Sequence, residues 1–259
     1  MIIDVSAHLG PYPFRALRHT TAAAMIGLMD RSGIARAVVS SLPAVFYRDA
    51  HRGNEELFEE TQAHRARLIP VATVNPHYAG WERDLAEAVG RWKAKAVTLV
   101  PEHHGYSLSD GHGNAALARI AELGVPVILT QRFEDRRQRH AWDRAEDLPV
   151  NAVLEAAHAH PTLKFVLNNW AGLDGKKLAE AGLRGRCLID FARMQVMQRK
   201  EVPKLIETLG VAAVAFGTHA PFDYPGPSLV KLANLETLPA ADFERIAWRN
   251  AAAFLKLEP

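Results

Sequence analysis

Eight short apolar runs, separated by longer stretches that are mostly of helical period, constrain the fold of this chain more than any other feature. The runs are residues 2–8, 35–42, 68–74, 96–100, 126–131, 164–168, 186–191 and 211–217. Most are apolar almost throughout, which suits parallel strands covered on both faces better than half-exposed antiparallel ones. Between them, residues 21–33 set Met25, Leu28 and Met29 at helical spacing and stop at Gly33, a good C-terminal cap. Residues 81–92 carry Leu85, Ala88 and Val89 on one face. Residues 114–124 end at Gly124, 151–160 run into Pro161, and 203–210 and 240–255 complete the set. Strands alternating with helices are βαβ units and build a parallel sheet. Eight units, with no glycine-rich dinucleotide fingerprint after the first strand, predict a closed α/β barrel of the (β/α)8, TIM-like kind. The 259 residues suit one such barrel, and no linker composition interrupts them, so one domain over residues 1–259 is expected.

Composition narrows the partners. A formal net charge of +2 with scattered basic residues favours neither nucleic acid nor an anionic membrane. No apolar run approaches the roughly 18 residues of a membrane span. The opening Met1-Ile2-Ile3-Asp4 lacks the basic and apolar regions of a signal peptide, so a cytoplasmic protein is expected. The single cysteine, Cys187, excludes an intrachain disulfide; in the run Cys187-Leu188-Ile189 it reads as a buried, inert thiol.

In these barrels the chemistry sits at the C-terminal ends of the strands. That rule selects Ser6 and His8, Pro101 to His104, Thr130 to Arg132, Asn168 and Asn169, Asp190 and Arg193, and Thr218 to Asp223. The polar segment 131–150 is the longest insertion and is expected to cover the barrel mouth.

Three places resemble the amidohydrolase superfamily, specifically its amidohydrolase-2 branch of metal-dependent hydrolases and decarboxylases. Ile2-Ile3-Asp4-Val5-Ser6-Ala7-His8 is similar to an opening strand that normally carries His-x-His. Phe216-Gly217-Thr218-His219-Ala220-Pro221-Phe222 is similar to the family's Phe-Gly-Ser/Thr-Asp-x-Pro-Phe, and Ile246 with Asn250-Ala251 resembles its closing helix. The stretches 99–108 and 131–140 also read like a subgroup of the branch. The resemblance implies a hydrolase or decarboxylase for a small organic acid, lactone or amide, and relatives that are often homodimers. It also implies one or two divalent metals held by the His-x-His pair, two further histidines and the eighth-strand aspartate.

This chain departs from that ligand set. Ser6 replaces the first histidine, Thr130 or Gln131 stands on the fifth strand, Asn168-Asn169 end the sixth, and His219 replaces the aspartate. Neutral Ser, Thr, Gln and Asn are poor zinc ligands. Two readings stand. A rebuilt metal site would use His8, His103, His104 and His219, with Glu102 or Asp190 in support, and hold zinc or another divalent metal. A metal-free site would use His219 as general base, His8 as its electrophilic or acid partner, and Asp190 to orient an imidazole. With twelve histidines, some fall at strand ends by chance. Gln131, Arg132 and Asn168 are candidate substrate contacts, and Arg15, Arg132 and Arg193 suit a carboxylate. Tyr12, Phe14, His104, Tyr106 and Phe222 are candidates for an aromatic wall, with His140 folded over the mouth. The alternative function is a non-catalytic or regulatory barrel that keeps the pocket and has lost the chemistry.

Overall fold

The computed structural model describes residues 1–194, 200–235 and 238–258. Its strands are β1 (Ile3–Leu9), β2 (Arg36–Ser41), β3 (Leu68–Pro70), β4 (Ala72–Thr73), β5 (Val97–Leu99), β6 (Val127–Thr130), β7 (Phe165–Asn168), β8 (Cys187–Asp190) and β9 (Val214–Ala215). All neighbours pair in parallel, in the orders β1-β2-β3 and β4-β5-β6-β7-β8-β9. β3 and β4 are one extended run interrupted at Val71, whose N–H bonds the Val39 carbonyl at 3.0 Å. At the other seam Val5 N–H donates to Phe216 O at 3.0 Å and Ala7 bridges Ala220. Backbone hydrogen bonds therefore join the two sheets at both seams, giving the α/β barrel expected from the eight runs.

The helices form where the capping chemistry favours them. Ala22–Ser32 starts at Thr21, whose side chain accepts from Ala24 N–H, and ends at Gly33 in the left-handed region at φ 67°. Ala50–Glu60 is a helix outside the stretches expected from periodicity. Two of its five buried residues are non-hydrophobic (Gly53, Asn54), with Asn54 bonding the Thr73 backbone in both directions. The final run is also shorter than expected as a strand: Val211–Ala213 is a 3-10 turn and only Val214–Ala215 extends.

The barrel interior is layered. Ile3, Val5, Val38, Ile69, Val71, Ala96, Ile128, Val166, Leu188 and Ala215 form an apolar lower layer, closed from below by Ala251 and Leu255. Side chains on a strand return to the same face every second residue. Two residues beyond that layer the same faces carry Ser40, Thr73, Thr98, Thr130, Asn168 and Asp190, all buried. The polar layer is thus a direct consequence of strand periodicity, and it lies beneath the C-terminal mouth. No helix among the described residues is long and apolar enough to cross a membrane.

Candidate active site at the barrel mouth

His8 lies near the end of β1 beside Ser40, its register partner on β2. Its Nδ1 is 2.6 Å from Ser40 Oγ, and its Nε2 is 3.4 Å from Nδ1 of His219. The His219 Nε2 in turn lies 2.6 Å from the Phe133 carbonyl. A carbonyl only accepts, so His219 Nε2 carries the proton and, in the neutral ring, Nδ1 accepts. His8 Nε2 then donates to it, and His8 Nδ1 accepts from the Ser40 hydroxyl. Burial holds both imidazoles below their ordinary pKa, and for His8 the neighbouring His219 adds to the effect. The pair is neutral, and every ring nitrogen has a partner.

The other two histidines follow β5 on the short turn Pro101–His104. His104 Nε2 bonds the Ala44 carbonyl at 3.2 Å, and His103 Nε2 lies 3.7 Å from Asp143 Oδ1. Burial pushes each down to about 4. The ring of Phe133 lies against His103 at 5.2 Å and His8 at 5.3 Å, with His219 at 6.4 Å. An apolar ring thus occupies the ground on which three imidazoles would have to converge. Among the described residues no group of three or more His, Cys, Asp or Glu side chains is placed to hold a metal ion. With both lone pairs of the His8–His219 couple engaged and Ser6, Thr130 and Asn168 at the remaining ligand positions, the residues do not fit a divalent metal.

Asp190, at the end of β8, accepts from Asn169 N–H at 3.0 and 3.1 Å and from Ala192 N–H at 3.1 Å. Burial pushes its carboxyl up to about 6 against the lowering effect of these donors. Gly217 passes so close that a Cβ there would stand 2.6 Å from Asp190 Cβ. Asp4 plays a similar part below, accepting from the backbone N–H groups of Ser6 and Thr218 and from the Thr218 hydroxyl. Asn168 donates to the Val5 carbonyl at 2.8 Å, which leaves its side-chain carbonyl without a hydrogen-bond partner.

Above this layer opens a cavity of about 420 Å³, lined among others by Arg15, Arg132, Arg193, Asn169, Phe133 and Phe222. Segment 131–150 supplies Arg132, Phe133, Glu134, Asp135 and Gln138 to the wall of this cavity at the mouth. It is pinned by Leu148 N–H on the Gln131 carbonyl at 2.9 Å and by ion pairs from Arg132 to Asp135 (3.0 Å) and Asp147 (3.6 Å). Arg15 pairs with buried Glu134, which also accepts from the Tyr12 hydroxyl at 3.0 Å. Arg193 donates to Gln131 Oε1 at 2.6 Å. Phe222 stacks on His219 at 5.2 Å, so Phe133 and Phe222 separate the imidazole pair from the cavity.

Of the residues selected from sequence, Arg15, Arg132, Arg193, Asn169, Thr218, Phe222 and Asp223 line this cavity. His8, His219 and Asp190 are buried beside it. Tyr106 lies elsewhere, against His77 and His104, with its hydroxyl buried and without a hydrogen-bond partner. Phe14 and His140 stack on each other at 5.5 Å within the insertion side of the mouth. Two residues outside the sequence selection matter: Ser40, whose signal is its in-register place opposite His8, and Phe133, which carries no polar signal at all.

A family model described as amidohydrolase matches residues 3–257, nearly the whole chain. The chain belongs to the amidohydrolase family. Solved structures with the same fold include 5-carboxyvanillate decarboxylase from Sphingomonas paucimobilis (13% identity, 99% of each chain, TM-score 0.77). Another is a dihydroxybenzoic acid decarboxylase from Polaromonas sp. JS666 with bound manganese and the inhibitor 2-nitroresorcinol (18% identity, 99% of this chain and 97% of that one, TM-score 0.73). A third is a probable 2-pyrone-4,6-dicarboxylic acid hydrolase from Acinetobacter baumannii with citric acid bound (11% identity, 98% and 99%, TM-score 0.68). Among curated proteins none matches the chain. Some of these solved neighbours hold manganese; in this amidohydrolase Phe133 and a closed imidazole pair stand at the mouth.

Proposed function

We propose that this amidohydrolase hydrolyses a small carboxylate-bearing substrate (an organic acid, lactone or amide) without a divalent metal. The observation that carries the reading is the cavity at the strand ends, rich in guanidinium groups and sharing the walls Phe133 and Phe222 with the His8–His219 couple. Guanidinium groups suit a substrate carboxylate through paired hydrogen bonds. The neighbours named for decarboxylases and a pyrone dicarboxylic acid hydrolase act on acids of that size.

On this reading His219 is the general base, and Phe133 is its latch. When Phe133 O releases Nε2, that nitrogen gives its proton to water, the His8 Nε2 proton passes to His219 Nδ1, and Ser40 hands its proton to His8 Nδ1 and takes one back from water. The hydrogen-bond chain is then reversed, with His219 Nδ1–H donating to His8 Nε2 and His8 Nδ1–H to Ser40 Oγ. The serine hydroxyl serves either direction because it both donates and accepts. His219 Nε2 is then open to take a proton from a water attacking the substrate carbonyl, and His8 shares the charge. Asp190 positions Asn169, and through it the cavity wall.

A second reading, a binding barrel without chemistry, is favoured by one specific feature: with Phe133 O in place, neither ring offers a free lone pair to the cavity. Turnover assays separate the two. Carboxylate-bearing lactones, esters and amides are incubated with metal-depleted wild type and His219→Gln. Hydrolysis by wild type that falls at least about a hundredfold in the variant supports the base. Binding of acids with no turnover of any class would leave the binding barrel.

A further inference from the structure

The three guanidiniums of the cavity are not equivalent. Arg15 is paired with Glu134, and Arg132 with Asp135 and Asp147. Among the described residues Arg193 makes no ion pair within 4 Å; its hydrogen bond goes to the neutral amide of Gln131. That amide oxygen is itself fixed, accepting from Ala171 N–H at 3.3 Å as well. Arg193 is therefore held in place with no carboxylate in contact, Asp147 and Asp135 acting on it only from further off.

Asn169 presents the complementary defect. It is buried (4% exposed) and lines the same cavity. Its Nδ2 donates to the Arg132 carbonyl at 2.7 Å, which settles the orientation of the amide, and its Oδ1 has no hydrogen-bond partner. Its backbone N–H is taken by Asp190, so the residue is anchored through its main chain as well as its side chain. Gln131 and Arg132, adjacent in the chain, tether Arg193 and Asn169 respectively, which brings a cation without a contact ion pair and an unsatisfied acceptor to one wall. A buried acceptor without a donor is costly, and a ligand that supplies the donor gains what the fold forgoes.

We propose that the cavity selects a carboxylate whose adjacent carbon carries a hydrogen-bond donor, a hydroxyl or an amine, with Arg193 taking the carboxylate and Asn169 Oδ1 the donor. Arg193 and Asn169 are thus specificity-determining residues, and Gln131 is a positioning residue for the first. This assignment rests on the carboxylate reading above and refines it to a substituted acid.

Titration calorimetry on wild type, Asn169→Gly, Arg193→Gln and Arg193→Lys tests it, with matched acids as probes: succinate against malate and aspartate, tricarballylate against citrate, phenylacetate against mandelate. Glycine tolerates the φ of 56° at position 169 and keeps the N–H that bonds Asp190, so this variant removes the acceptor with least disturbance. The donor-bearing acid of at least one set should bind wild type about tenfold tighter than its plain partner, the scale of one satisfied buried acceptor. Whether hydroxy or amino acid leads identifies the donor. Asn169→Gly should shrink the ratio to within about twofold, Arg193→Gln should weaken both partners about tenfold or more, and Arg193→Lys should keep the ratio. Equal affinities within every set, or a preference that survives Asn169→Gly, would overturn the inference and leave the carboxylate site standing. Failure of every acid to bind wild type would overturn both. The wild-type comparison needs no variant, so a folding defect at position 169 does not block the test.

Discussion

Nε2 of His8 faces Nδ1 of His219 across 3.4 Å, and the outer nitrogen of each ring is already bonded, one to Ser40 and the other to the Phe133 carbonyl. A divalent metal needs imidazole lone pairs, and both are spent inside this chain of hydrogen bonds. We expect tag-free protein purified without chelators to carry well below one equivalent of zinc or manganese by plasma mass spectrometry. Added metal should leave the thermal midpoint unmoved. Near-stoichiometric metal that disappears in His219→Ala would mean that Phe133 yields the centre of the site to an ion.

Asp190 gives the barrel a pH signature. Its carboxyl is pushed up to about 6 in the fold, chiefly by burial, from an ordinary 3.8. The folded chain therefore holds a proton that the unfolded chain has released between about pH 4 and 6, so its contribution is fully present below 4 and lost as pH rises through 6. A shift of this size corresponds to about 3 kcal/mol. Urea unfolding of wild type and Asp190→Asn should show wild type losing stability relative to the variant across that window. A constant difference from pH 4 to 7 would mean that the site is wet enough to leave the carboxyl at its ordinary value.

Gly217 and Asp190 are packed against each other with no room for a methyl group: an added Cβ would meet Asp190 Cβ at 2.6 Å and Oδ2 at 2.9 Å. Gly217→Ala should therefore displace the carboxylate that holds Asn169, with a loss of about 1–3 kcal/mol or more in denaturant unfolding. Because Asn169 moves with it, ligand affinity should fall alongside stability. A variant as stable as wild type would show that β8 and β9 can separate cheaply.

Cys187 is 1% exposed, and burial pushes its thiol up to about 12. Only the thiolate reacts, so the native protein should resist a disulfide reagent at pH 8 and release one thiol per chain on denaturation. Rapid labelling of the native protein would place Cys187 at a surface the fold does not give it.

Strand and helix alternation is a local property, and so the barrel was legible in the residues themselves. Eight apolar runs became the strand positions, and period-two alternation put Ser40, Thr73, Thr98, Thr130, Asn168 and Asp190 on one interior layer. The strand-end rule likewise brought Arg132, Arg193 and Asn169 within reach, Arg15 entered as a candidate for a carboxylate, and the substitutions at Ser6, Asn168 and His219 announced a changed ligand set. What local pattern could not supply was which side chain meets which. His8 and His219 are separated by 211 residues and His219 and Phe133 by 86, and their hydrogen bonds exist only because the barrel closes. Whether Arg15, Arg132 or Arg193 goes without a contact ion pair depends on which carboxylates segment 131–150 folds back to offer. Residue type and periodicity set the inventory of the mouth; three-dimensional closure decided the pairings, because hydrogen bonds and ion pairs depend on distances that sequence spacing does not encode.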